Sequence, residues 1–104
     1  MPYRIIYHPK AEAELDKLYD NIAVEAGTSI AGDFVDAVIT FIEALATFPE
    51  RGTVREGRIP GLRIIGYRRS VSVAFSVSGD NVIILGVFAR GRNITDEILE
   101  ERQR

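Results

Sequence analysis

The chain has no cysteine, a single histidine (His8) and no lysine beyond Lys17. Without cysteine, disulfides and thiolate metal sites are excluded. One histidine among scattered acids lacks the ligand spacing of a zinc-type centre, so neither metal nor cofactor is expected. No apolar run approaches the roughly 20 residues needed to span a bilayer. The start, Met1-Pro2-Tyr3-Arg4, lacks the charged-then-apolar pattern of a signal peptide. A cytoplasmic protein without membrane contact is therefore expected. Gly57, Gly61 and Gly66 do not make a phosphate loop, because no Gly-x-x-x-x-Gly-Lys leads into a helix.

What is present fits one small domain over residues 1–104, with 46% hydrophobic and 27% charged residues. A chain of this length buries a limited share of its surface, so a partner is expected to add to its stability. Net charge is only −2, but it is unevenly spread. Residues 1–50 hold three cations against nine acids, a net of −6. Residues 51–92 hold eight arginines against Glu56 and Asp80, a net of +6. Residues 93–104 return to −2. Such asymmetry reads either as an interaction surface or as a solvated sheet face balanced by acidic helices.

Arg4-Ile5-Ile6-Tyr7 reads as a strand. Pro9 then suits a first helical position, where its missing N–H would have had no partner. Ala11, Leu15, Leu18, Tyr19 and Ile22 share one helical face, and Gly27 is expected to end that helix. Thr28 or Ser29 is expected to cap a second helix ending at Pro49. Its stripe is Ile30, Phe34, Val38, Phe41, Leu45 and Phe48, widened by Val35, Ile39 and Ile42. The two helices should form an antiparallel hairpin.

The remainder reads as sheet. Leu62–Tyr67 follows the turn dipeptide Pro60-Gly61, and Val71, Val73, Phe75 and Val77 alternate with small residues at period two. After a turn at Ser78-Gly79-Asp80-Asn81, the continuous run Val82–Phe88 predicts a central strand covered on both faces. Residues 94–103 can form a short helix with Thr95 as N-cap and Glu97 in its first turn. The order β-α-α-β-β-β-(α) implies an α+β fold: an N-terminal strand and a helical hairpin packed on a small, mainly antiparallel sheet.

Several local features occur together in this order. They are His8-Pro9-Lys10-Ala11 at the first helix start, Leu45-Ala46-Thr47-Phe48-Pro49-Glu50-Arg51-Gly52 after the second helix, Pro60-Gly61-Leu62-Arg63, a strand bearing Tyr67 and Arg68, and a final Arg90-Gly91-Arg92. Over nearly the whole chain they resemble the RelE/ParE superfamily of toxins from bacterial type II toxin–antitoxin modules, the ParE-like branch more than the ribonuclease branch. His8 departs from the pattern, since the family often has serine at that cap.

The resemblance implies a growth-inhibiting toxin, of the kind tied to plasmid stabilization, that poisons DNA gyrase and is neutralised by a ParD-like antitoxin. Operator DNA would be met only through the antitoxin, in a hetero-oligomer. The alternatives are a ribosome-dependent endoribonuclease of RelE type and an inactive member that acts only within an antitoxin complex.

The residues expected to contact target or antitoxin are Arg63, Arg68, Arg69, Arg90 and Arg92, at strand ends that an antiparallel sheet can bring together. In the ribonuclease branch matching arginines hold the scissile phosphate, with Arg63 carried over first and Arg90 or Arg92 second. The competing reading of Arg63 is an ion pair to a helix acid that pins hairpin to sheet. No catalytic residue is assigned. Ribonuclease chemistry needs groups that move protons, and nothing after Tyr67 is tyrosine or histidine. His8 reads as a helix cap and Tyr67 as a packed residue. A pI of about 5.4 also suits ribosome binding poorly, because phosphate neutralisation supplies much of that affinity.

Overall fold

Chain direction is set early, at the junction of the first strand and helix. A computed structural model describes residues 2–103, with β1 at Arg4–Tyr7 and α1 at Pro9–Ala26. His8 between them is extended, and its Nδ1 accepts the N–H of Lys10 at 3.0 Å. The imidazole thus satisfies an amide that the helix start leaves without a partner, the task usually given to serine or aspartate.

Helix α2 (Thr28–Glu43) follows at once. Gly27, at φ 94°, ends α1 and also stands immediately before α2, which has no side-chain cap. Neither Thr28 nor Ser29 caps it, because one left-handed glycine makes the whole turn and leaves both hydroxyl residues outside the cap position. The helix is also shorter than its apolar stripe suggests. After Glu43 the chain tightens into a 3-10 turn, Ala44–Ala46, so Phe48 lies beyond the helix and is exposed.

Five strands make one sheet in the order β1-β5-β4-β3-β2. The others are β2 (Thr53–Val54), β3 (Arg63–Tyr67), β4 (Val71–Ser78) and β5 (Asn81–Ala89). Only the β1–β5 pairing is parallel. β4 therefore takes the middle place and β5 lies one in from the edge, although both faces of β5 are covered as its composition requires. Strand β2 has two exposed residues, too short and too polar in context for a periodicity reading to detect.

The helical hairpin covers one sheet face. Ala11 and Leu15 of α1 and Val38 and Ile42 of α2 bury against Val73, Phe75, Val82, Ile84 and Val87. On the other face α3 (Asp96–Gln103) sets Leu99 into a smaller core with Leu62, Ala74, Leu85 and Phe88. Thr95 Oγ1 accepts the N–H of Ile98 at 3.3 Å, the cap expected from its position. Valines 71, 73 and 77 with Phe75 line the hairpin side of β4, so its period-two pattern is the pattern of the larger core.

A β-bulge interrupts β5. Phe75 pairs with Ile84 but Ala74 pairs with Gly86, which leaves Leu85 as the extra residue. The bulge turns both Leu85 and Phe88 toward α3 while Val87 returns to the hairpin side. Gly86 is required there. A Cβ would run into the Phe88 ring and would lie 2.6 Å from the Arg102 guanidinium.

Candidate functional site: an arginine-rich end of the sheet

β1 ends at Tyr7, opposite Ile84, so the edge of β5 beyond that point has no strand beside it. Two side chains occupy its first part. The Glu14 carboxylate accepts the N–H of Val87 at 3.0 Å, and Arg102 donates to the Leu85 carbonyl at 3.0 Å. The same two groups pair with each other in fork geometry, at 2.8 and 3.1 Å. Arg102 is only 8% exposed and its guanidinium lies over the Phe88 ring. This buried pair joins α1, the bulge and α3. Nothing in the expected site anticipated it. Two signals were available: a glycine inside the apolar run Val82–Phe88, which marks a bulge or a close approach, and Arg102 sharing a helical face with Ile98 and Leu99.

A second, exposed set of pairs holds α3 from its outer side. Arg58 meets Glu97 at 2.7 Å and Glu100 at 3.0 Å, while Arg55 donates to the Ile94 carbonyl at 2.8 Å. The Arg58 pKa is raised, first by its hydrogen bond to Glu97, and the Glu97 carboxyl is held below its usual range.

The arginines expected to form the site divide into two groups. Arg68 and Arg69 are the central residues of the β3–β4 turn, which Ser70 closes by donating its N–H to the Tyr67 carbonyl at 3.0 Å. Both have positive φ, 49° and 58°, the signs of a type I′ turn. That turn normally takes asparagine and glycine, and each non-glycine residue in this region costs on the order of 1–2 kcal/mol. The Ser70 carbonyl accepts the Arg90 N–H at 2.8 Å, which places the end of β5 beside the turn. Gly91, at φ 87°, reverses the chain so that Arg92 follows at the same end. Arg68, Arg69, Arg90 and Arg92 are all exposed, and none forms an ion pair among the described residues.

Arg63 is not part of this group. It begins β3, and the strand rise of about 3.3 Å per residue puts it roughly 13 Å from the turn at the strand's far end. Its guanidinium is half-buried, 3.7 Å from Glu50. Glu50 belongs to the loop after the 3-10 turn, so the acid that meets Arg63 comes from a loop and not from a helix.

Of the candidate proton-transfer groups Tyr67 borders the arginine turn, with the Arg68 guanidinium 5.4 Å from its ring centroid. The Tyr67 ring packs on Phe41 and Phe34, at centroid distances of 4.9 and 6.1 Å. His8 caps α1. The Tyr7 hydroxyl is buried without a partner, and burial, then Glu43 and Glu12, push its pKa up to about 12, so it stays protonated at neutral pH.

An α+β domain with helices on both faces of one sheet, and four arginines at one sheet end that form no ion pair among the described residues, is the class defined by this fold and site. The family model for the ParE toxin of the type II toxin–antitoxin system parDE matches residues 5–94, and the chain belongs to that family. Among solved structures it is similar to the chromosomal ParDE toxin–antitoxin system of P. aeruginosa, with 27% identity over 85% of this chain and 96% of the other, and a TM-score of 0.74. The toxin–antitoxin complex RelBE2 of Mycobacterium tuberculosis matches with 21% identity over 86% of this chain and 100% of the other, at TM-score 0.66. An arginine-substituted mutant of E. coli toxin RelE in the free state matches with 16% identity over 99% and 96%, at TM-score 0.64. Those last two likenesses establish the fold. A search of curated proteins gave no match.

Proposed function

We propose that this type II toxin–antitoxin toxin acts in the cytoplasm without catalysis, by binding and inhibiting DNA gyrase, and that a ParD-like antitoxin neutralises it. The carrying observation is the cluster Arg68, Arg69, Arg90 and Arg92. Four guanidinium groups stand at one sheet end with no ion pair among the described residues, two of them on a strained turn, and those of Arg68 and Arg92 lie over the Tyr67 and Phe88 rings at 5.4 and 5.6 Å. Such a cluster can bind carboxylates or phosphates bidentately. It stabilises charge but moves no proton, since arginine is not deprotonated in proteins. Cleavage of RNA would need that missing step.

Antitoxin recognition is supported by apolar surface left uncovered. Val24, Ile30, Phe48 and Val54 are exposed, and the outer edge of β1 has no strand partner among the described residues. An antitoxin segment that folds on contact, acidic where it passes the arginines, would cover such features. Purified chain added to gyrase should inhibit supercoiling of relaxed plasmid, and its induction should raise a DNA-damage reporter. Unaffected gyrase together with codon-specific cleavage of translated message would replace this reading with the ribonuclease one.

A further inference from the structure

Two of the four arginines at the sheet end lie on aromatic rings and two do not. The Arg68 guanidinium lies over the Tyr67 ring at 5.4 Å, and that of Arg92 over the Phe88 ring at 5.6 Å. Neither Arg69 nor Arg90 has such a contact among the described residues. Both rings are set in the cores. Tyr67 packs on Phe34 and Phe41 of α2, on the hairpin face of the sheet. Phe88 is 1% exposed and lies on the α3 face with Leu62, Leu85 and Leu99. The sheet end therefore carries one ring-held guanidinium from each face.

Phe88 bears a second cation, because the Arg102 guanidinium lies over the same ring at 5.2 Å. Two uncompensated charges at one ring would repel each other. Glu14 removes that conflict, since its fork with Arg102, at 2.8 and 3.1 Å, neutralises the inner guanidinium. The ring is then left to attract Arg92.

We infer that Tyr67 and Phe88 are positioning residues: they hold Arg68 and Arg92 in place before an anion arrives, while Arg69 and Arg90 adapt to it. The gain is entropic. An arginine has much rotamer freedom to lose, and one already held on a fixed ring loses less of it on binding. A ring attracts the charge without offering a lone pair, so the N–H donors stay available for a carboxylate or phosphate. The inference rests on the proposed reading of this cluster as a binding surface, but the holding of the two side chains does not depend on gyrase.

The test is side-chain NMR of the purified full chain, following the Nε–Hε groups of the four arginines alone and with inorganic pyrophosphate. In the free protein those of Arg68 and Arg92 should be more rigid than those of Arg69 and Arg90, and shifted by ring currents. Equal mobility of all four overturns the inference, whatever any variant does. Trifluorophenylalanine in place of Phe88 weakens the attraction of the ring for a cation with little change of shape. It should free the Arg92 group and weaken pyrophosphate binding by about three-fold, the size of an exposed cation–π contact. The replacement also touches Arg102, so it is repeated on Arg92→Gln. There any change of unfolding midpoint should persist and the effect on pyrophosphate should vanish. No effect on pyrophosphate in either background, or the same effect in both, makes the ring purely structural and overturns the inference. Pyrophosphate that moves none of the four groups removes the binding surface and the inference with it, whereas the supercoiling assay decides the gyrase reading separately.

Discussion

Arginine has two fates in this molecule. Around α3, Arg102, Arg55 and Arg58 are each matched to a carboxylate or carbonyl, and Arg102 is buried. At the far end of β3 and β5, Arg68, Arg69, Arg90 and Arg92 stand exposed and form no ion pair among the described residues. One set closes the fold around the C-terminal helix; the other is left over, and two of its members sit in backbone conformations that favour other residues. Residues that destabilise the fold where they stand are reasonably assigned to function. The contrast separates the arginines that hold the fold from those we propose for binding more sharply than charge count does.

Breaking the paired set has the largest expected effect. Arg102→Ala leaves Glu14 buried without its cation and empties the contact beneath Phe88, so unfolding stability should fall by about 3–5 kcal/mol. Denaturant titration checks this, and Glu14→Gln should cost a large part of the same amount. Breaking the unpaired set should do the reverse. Arg90→Ala with Arg92→Ala should reduce growth inhibition at least ten-fold while stability stays within about 0.5 kcal/mol, the usual range for exposed sites. A growth assay beside the same titration separates the two effects.

Smaller effects sharpen the comparison within the paired set. Arg58 is exposed, so Arg58→Ala should cost less than Arg102→Ala, and the difference from wild type should vanish in molar salt, where exposed pairs are screened. The smallest effect concerns His8. Burial, followed by the charges of Arg102 and Lys10, holds its imidazole below the usual pKa. The unfolded chain therefore takes up a proton first as pH falls through about 6.5, and stability is lost on acidification. Protonation also removes the Nδ1 acceptor that caps α1. His8→Asn keeps a capping oxygen and should flatten the stability profile between pH 7.5 and 5.5, measured by urea midpoint.

Much of the fold was legible because its signals are local. The Pro9 helix start, the stop at Gly27, the valine alternation of β4 and the apolar run of β5 each follow from periodicity or from one constrained residue. The end of α2 was not, because Leu45 and Phe48 continue the helical spacing while the backbone has already tightened into a 3-10 turn. Of the site, the pairing of the turn with the last strand was legible once the strands were ordered. The separation of Arg63 was not, since strand ends look alike until direction is known. Nor was the Glu14–Arg102 pair, whose members lie 88 residues apart. The glycine that makes room for it, Gly86, was visible, but only as an interruption of an apolar run.

The central claim is that the free arginines serve binding at the expense of the turn that carries them. Arg68→Asn with Arg69→Gly gives that turn the residues its backbone prefers and removes two of the four guanidinium groups. Growth inhibition and unfolding midpoint measured on this one variant test the claim most directly. The account predicts a midpoint above wild type, by the equivalent of about 1 kcal/mol, together with at least a ten-fold loss of growth inhibition. Full growth inhibition in a stabilised variant would contradict it.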